Sequence, residues 1–175
     1  MHGAKTFDYT QLSGKYIINL DNEEELSVIV SSSGIMDLRL HFETEALREP
    51  CQTDGKPLYQ LEIKGFRGGH SGMDIVLPRL NAVKIMGDIL SEIVSLGDPT
   101  FEAYHLNGGT HMNAIPTAAK CVFYAGEAFL EKIQMIAERY QKSCRVTEKH
   151  GMIQIQDCND QSPETKYTGA GFSTV

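Results

Sequence analysis

The sequence predicts an α+β fold: a ferredoxin-like antiparallel sheet with two helices on one face, preceded by extra N-terminal strands. Two observations support this prediction. From residue 57 onward, segments typical of strands and helices follow one another in the order β-α-β-β-α-β, which is the order of the split β-α-β arrangement. The chain of 175 residues is also long enough to bury a core without disulfides.

Three strand-like segments precede the predicted ferredoxin-like unit. Residues 15–20 (KYIINL) and 26–30 (LSVIV) are short apolar runs, and residues 35–43 alternate between polar and apolar side chains. An acidic run from Asp21 to Glu25 separates the first two. These segments provide the extra N-terminal strands of the prediction.

The elements of the ferredoxin-like unit are recognised by their hydrophobic period. Alternation places Tyr59, Leu61 and Ile63 on one face of a strand, and apolar residues at three- and four-residue spacing then indicate helices. Pro78 suits the first turn of the first helix, and Gly97 ends that helix. The predicted elements are, in order, a strand at 57–64, a helix between Pro78 and Gly97, strands at 100–106 and 118–124 joined by the loop 107–117, a helix at 127–143, and short strands at 145–149 and 152–156.

The composition excludes two classes of partner. The sequence has 16 Lys and Arg against 23 Asp and Glu, a net charge of −7, and it lacks the clustered basic surface that nucleic-acid binding requires. No apolar stretch reaches the ~18 residues of a membrane span, and the first residues lack the apolar region of a signal peptide. The four cysteines form no C-x-x-C pair. We therefore expect reduced thiols in a cytoplasmic protein rather than a disulfide framework or a zinc site.

A glycine-rich segment places one imidazole in a sharp turn. Gly65 to Gly72 has the sequence GFRGGHSG and lies between the first strand and the first helix of the predicted unit. Glycines on both sides of His70 allow the backbone to turn sharply and the ring to approach another molecule. Two interpretations remain open: a histidine that contacts a ligand, or a tight turn whose histidine merely faces solvent.

Two further segments carry candidate site residues. The segment NGGTHMNAIP contains Asn113, whose carboxamide offers a donor and an acceptor to a peptide-like or carboxylate ligand. The alternative is a long hairpin loop in which Asn113 satisfies its own turn. Asp21 directly follows an apolar strand, where a carboxylate can bind a cation, although a run of acids is also typical of a solvated turn.

Together these motifs resemble a known enzyme family. GFRGGHSGMDI, RLNAVKIMGDIL and GGTHMNAIP, in this order and at this separation, look like the lid domain of M20-family metallopeptidases. The likeness is strongest to the aminoacyl-histidine dipeptidases, also called cytosolic non-specific dipeptidase or peptidase D. INLDNEEE similarly resembles the strand of that family's catalytic domain that ends in a metal-binding aspartate. The resemblance spans about residues 7–157.

The resemblance implies a zinc-dependent dipeptidase of two domains. In that family the catalytic domain holds two zinc ions, and the inserted lid domain closes over the peptide and often dimerises. The resemblance gives His70 the role of steadying the oxyanion, in trans in the partner subunit's active site. It implies that Asn113 contacts the substrate and that Asp21 is a ligand of zinc. Separately, an open antiparallel sheet with unpaired edge strands predicts self-association, as a homodimer through the lid sheet or helices or as aggregation.

Several parts of the family pattern have no counterpart in this sequence. No histidine is followed two places later by aspartate, as in the metal-binding H-x-D segment, and no Glu-Glu pair precedes Asp21. We therefore expect an incomplete enzyme. Residues 1–34 are then a remnant of catalytic-domain strands and a linker, 35–157 are the lid and dimerisation domain, and 158–175 are a loose polar tail. Alone, such a chain should bind no zinc tightly, hydrolyse little or no peptide, and bind a small peptide substrate only with a catalytic domain.

Two other hypotheses remain open. The first is a stand-alone ferredoxin-like binding or dimerisation module without catalysis, in which the glycine-rich segment is only a turn. The second is a complete small metalloenzyme that uses His70, His105 and His111 as metal ligands. Changes at His70 and Asn113 test the first hypothesis, and metal analysis tests the second.

Overall fold

The computed structural model describes residues 6–16, 48–51, 56–158, 163 and 165–167, and the chain divides into two compact units, Met1–His41 and Phe42–Val175. In the first unit a 3₁₀ helix spans Tyr9–Gln11. The carboxylate of Asp8 opens this turn by accepting bonds from the amide (3.0 Å) and the hydroxyl (2.6 Å) of Thr10. The predicted strands 26–30 and 35–43, most of 15–20, and Asp21 lie outside the described residues.

The second unit contains an antiparallel sheet of four strands with two helices. The described elements are β1 (Arg48–Pro50), β2 (Tyr59–Lys64), β3 (Gly69–His70), α1 (Ala82–Ser95), β4 (Glu102–Gly108), β5 (Ala114–Ile115), β6 (Ala119–Tyr124), α2 (Glu127–Cys144), β7 (Met152–Asp157) and β8 (Thr165–Tyr167). The four-stranded sheet has the order β4-β6-β2-β7, and every pair in it is antiparallel. This is the order expected of a ferredoxin-like unit, so the predicted α+β fold class is confirmed.

The core lies between the two helices and one face of the sheet. Every second residue of β2 and β6 points into it, which is the period-2 alternation of a sheet covered on one side. Each fully buried Leu, Ile or Phe contributes about 1.5–3 kcal/mol relative to an exposed one. The largest fully buried members are Leu61, Ile63, Met86, Ile89, Ile93, Phe123 and Ile133. Among the described residues, neither helix has the length and apolar character that a membrane crossing demands.

The first helix begins later than the sequence predicts. Asn81 caps α1, because its side-chain oxygen accepts bonds from the amides of Val83 (3.0 Å) and Lys84 (3.1 Å). Asn is among the best N-cap residues, and this cap sets the start of the helix at Ala82. The prediction that Pro78 lies in the first helical turn is wrong. Pro78 instead lies in the loop that carries the glycine-rich segment.

The predicted strand at 145–149 is also wrong. The amides of Thr147 and Glu148 both donate to the carbonyl of Cys144, at 3.0 and 2.7 Å, and so form a turn at the end of α2. Val146 is 83% exposed, while Glu148 is buried. The segment is therefore a turn that buries one carboxylate, and not a strand.

The opposite face of the sheet is partly covered by a ribbon of β1 and β8. β8 lies in the segment predicted as a loose tail, and it pairs antiparallel with β1. Its Lys166 donates to Glu102 Oε1 at 2.7 Å, while Lys56 and the Tyr104 hydroxyl donate to Glu102 Oε2, each at 2.6 Å. Burial opposes ionisation of Glu102, but these three donors outweigh it and lower its pKa to about 2. The charge of Glu102 therefore holds part of the tail in place.

Candidate functional site

The two segments that carry His70 and Asn113 meet in space. β3 and β5 pair antiparallel, with Gly69 opposite Ile115 and His70 opposite Ala114. The amide of Ser71 then donates to the carbonyl of Asn113 at 2.9 Å, which extends the pairing by one residue. We call this structure, with Ser71 and Asn113 at its end, the site ribbon. It brings the backbones of both candidate residues next to each other.

Glycine is required at two positions that lead into the site ribbon. Gly68 has φ +63° and Gly69 has φ +147°, a backbone region that favours glycine. A Cβ atom on Gly68 would lie 2.4 Å from Thr117 Cγ2, and one on Gly69 would lie 2.5 Å from Asp74 Oδ2. The glycine pair therefore lets the chain turn tightly against two neighbouring segments just before His70.

Hydrogen bonds within the turn fix the His70 ring. The His70 amide donates to Asp74 Oδ2 at 2.7 Å, and the Asp74 amide returns a bond to the His70 carbonyl at 2.9 Å. Nδ1 of the ring accepts from the amides of Gly72 (3.1 Å) and Met73 (3.2 Å). Because Nδ1 acts as an acceptor, the neutral ring carries its proton on Nε2. His70 is exposed, so it can offer this N–H to a ligand oxygen.

Asn113 is held by its backbone while its side chain stays available. Its carbonyl accepts the bond from Ser71, and the side chain is exposed. Within the described part of the chain, its carboxamide makes no hydrogen bond. The neighbouring turn is instead closed by the Ala114 amide, which donates to the His111 carbonyl at 3.2 Å. The carboxamide is therefore not used to satisfy its own turn and can bind a ligand.

A buried carboxylate that no sequence motif indicates holds the loop that carries His70. Glu148 is only 1% exposed, and it accepts bonds from Arg67 N (3.1 Å), Arg67 Nε (3.1 Å) and Leu80 N (3.3 Å). Arg67 and Leu80 lie at the two ends of the loop that contains His70. We call these three residues the Glu148 clamp. Glu148 is far in the sequence from Arg67 and Leu80. The clamp is therefore recognised only in the structure, where a buried carboxylate lies beside an arginine.

The Glu148 clamp keeps its carboxylate ionised. Burial raises the pKa of Glu148, but the Arg67 amide and guanidinium and the Leu80 amide together outweigh burial, so its pKa lies below the ordinary value. The Arg67 guanidinium also donates to the carbonyls of Pro78 (3.0 Å) and Thr147 (2.9 Å). Charge-assisted bonds of this kind are about twice as strong as neutral ones.

The described residues do not form a metal site. No group of three or more His, Cys, Asp or Glu side chains among them could hold a metal ion. His70, His105 and His111 are all described, and they do not come together as the metalloenzyme hypothesis requires. Asp21 is the one residue that the resemblance makes a zinc ligand, and it lies outside the described residues.

Comparison with known proteins agrees with this architecture. The cytosol non-specific dipeptidase of Escherichia coli (strain K12) is 29% identical over 144 residues, which cover 81% of this chain and 28% of that protein. The crystal structure of the aminoacylhistidine dipeptidase from Vibrio alginolyticus shares the fold, with a TM-score of 0.59 and 24% identity over 69% of this chain and 24% of that chain. The chain thus spans about a quarter of the length of these two relatives.

A family model covers most of the sheet and both helices. The model described as the peptidase dimerisation domain matches residues 61–151, more than half of the 175 residues. The matched segment begins within β2 and ends just before β7, and it contains both strands of the site ribbon and the Glu148 clamp. The chain therefore belongs to the peptidase dimerisation domain family of the M20 peptidases, as its motifs predict.

Proposed function

We propose that this chain supplies the lid and dimerisation domain of a zinc-dependent dipeptidase that cleaves Xaa-His peptides. The observation that supports the proposal is the site ribbon, in which the backbones of His70 and Asn113 occupy neighbouring positions on two paired strands. A lid needs such groups at one end, where they can reach a peptide held by another domain. Closing the lid would exclude water and orient the peptide.

The proposed roles follow from the hydrogen-bonding state of each group. His70 Nε2–H donates to the oxyanion that forms when the scissile carbonyl is attacked, and it does so in the active site of a partner subunit. Asn113 contacts the peptide, since its amide can both donate and accept. Because the described residues do not fit a zinc site, the metal is assigned to a catalytic domain, to which this chain would contribute Asp21.

The proposed organisation follows the same division. Residues 1–34 belong with the catalytic domain, 35–157 form the lid, and 158–175 follow it. The E. coli relative is named as a cytosolic enzyme, and we propose the same compartment for this protein. A homodimer would form through the lid sheet or helices. The sheet supports this, because β7 is an outermost strand among the described ones, and a strand edge without a partner readily pairs with another chain.

The first test of the proposal is a peptidase assay of the chain alone. Purified protein supplemented with zinc should release no more histidine from Xaa-His dipeptides than zinc-containing buffer does without the protein. The physical reason is that a catalytic zinc takes about three protein ligands, and this chain is proposed to contribute one. Release that rises in proportion to the concentration of the chain, and that disappears with a chelator, would show that the chain carries its own metal centre.

A further inference from the structure

A shallow cavity of about 160 Å³ lies at the end of the sheet beside the glycine-rich segment. Thr117 lies on its wall and is also the residue that packs against Gly68. Some of the residues that line the cavity are therefore close in sequence to the site ribbon, but His70 and Asn113 are not among them. Its lining consists of Glu62, Ile63, Asn107, Gly108, Gly109, Thr110, Thr117, Ala118, Ala119 and Lys120.

One unpaired positive charge lines this cavity. Lys120 lies between Asn107 of β4 and Glu62 of β2 in the register of the sheet, so the three side chains share one face. Glu62 is already engaged by Lys64 Nζ at 2.6 Å and by Gln154 Nε2 at 2.9 Å. Lys120 is half-buried and makes no ion pair within the described part of the chain. The cavity is therefore lined by Lys120, and Glu62, the acid opposite it in the sheet, is already bonded to other side chains.

Neutral hydrogen-bonding groups surround that charge. Asn107, Thr110 and Thr117 all line the cavity, and their exposed side chains have no hydrogen-bond partner among the described residues. A cavity of about 160 Å³ is smaller than the ~300–1,000 Å³ that is usual of a pocket for a whole ligand. It suits one end of a small molecule with two acceptor oxygens.

We propose that this cavity binds the carboxylate of a small peptide or amino acid, with Lys120 as its counter-ion and Asn107, Thr110 and Thr117 as donors. A carboxylate accepts up to four hydrogen bonds and pairs with an ammonium, so it matches all four groups. That the carboxylate belongs to a peptide rests on the proposed function. That the cavity takes a carboxylate rests only on its lining.

Chemical-shift titration of the full ¹⁵N-labelled chain tests this proposal. Sodium acetate, at ionic strength held constant with chloride, should cause saturable shifts that cluster at the amides of 107–110 and 117–120. Acetamide, which has the same shape without the charge, should cause none. Glycylglycine distinguishes the sources of the carboxylate: tighter binding than acetate assigns the site to peptides, and equal binding assigns it to carboxylates in general.

Two lysine variants and one matched control identify the counter-ion. Lys120→Gln should weaken acetate binding at least tenfold, whereas Lys120→Arg, which keeps the charge, should retain most of it. Lys142→Gln removes an exposed lysine of α2, away from the cavity, and should bind like the wild type. Unsaturable shifts spread over the exposed lysines, or equal binding by Lys120→Gln and the wild type, would overturn the proposal. Because the titration needs no catalytic domain, its failure would leave the lid function standing.

Discussion

Glu148→Ala should lower the free energy of unfolding by about 2–3 kcal/mol, a large share of the 5–15 kcal/mol typical of a domain. The change removes the one acceptor shared by Arg67 N, Arg67 Nε and Leu80 N. Breaking a buried pair usually costs about 3–5 kcal/mol, but the Arg67 side chain is 48% exposed, so water compensates part of the loss. Urea unfolding followed by circular dichroism measures the difference.

Two further variants make this result specific. Glu148→Gln keeps the shape and one acceptor oxygen, and it should cost less than the alanine variant. Glu131→Ala removes an exposed acid of α2 that makes no ion pair within the described residues, and it should change stability by less than about 0.5 kcal/mol. An unfolding free energy of Glu148→Ala within error of that of Glu131→Ala would show that the Glu148 clamp does not stabilise the fold.

The same carboxylate should make this stability depend on pH. The folded-state pKa of Glu148 lies below its ordinary value of 4.5, so its contribution is fully present above that value. The contribution is lost as the pH falls from about 5 towards the folded-state pKa. The stability difference between wild type and Glu148→Gln should therefore be constant near pH 7 and shrink below about pH 4.5. This difference isolates Glu148 from Glu102, which titrates in both proteins.

His70→Ala should reduce kcat about 100- to 1,000-fold in an enzyme that uses this domain as its lid. The expected loss corresponds to about 3–4 kcal/mol, the usual effect of removing one donor from an oxyanion site. The measurement uses a graft in which residues 35–157, the proposed lid, replace the dimerisation domain of the E. coli dipeptidase. KM should change much less than kcat, because the oxyanion exists only in the transition state.

A matched histidine separates this effect from a general loss of structure. His150→Ala changes an exposed histidine in the turn after α2, and it should leave kcat of the graft nearly unchanged. His70→Gln keeps a side-chain N–H donor and should recover part of the activity. If His70→Ala and His150→Ala give the same kcat, His70 does not stabilise the transition state, and the glycine-rich segment is only a turn.

The sheet and helices could be predicted because their signals are local and periodic. Alternating Leu61 and Ile63 in β2 are both fully buried, and Met86 and Ile93 of α1 face the same core. The order of these elements then leaves few topologies, and the ferredoxin-like order β4-β6-β2-β7 is the one observed. The start of α1 could not be predicted in the same way, because Pro78 suits the first turn of a helix and only the geometry of the Asn81 cap sets the start at Ala82.

The geometry of the candidate site could be predicted only in part. The motifs identify His70 and Asn113, but β3 and β5 are strands of two residues each and are too short to show a period, so their pairing has no sequence signal. Glu148 is hidden for another reason. Its partners Arg67 and Leu80 belong to a loop that is distant in the sequence. In the sequence, an acid flanked by polar residues looks the same whether the fold buries it or exposes it.

The peptidase activity of the graft with its wild-type lid tests the central claim most directly: this domain completes an active site whose metal lies elsewhere. The measurement compares its kcat for Xaa-His dipeptides with that of the E. coli enzyme from which the dimerisation domain has been deleted. We expect turnover well above the lidless enzyme. A graft that is folded and loaded with zinc, yet hydrolyses dipeptides no faster than the lidless enzyme, would contradict the claim.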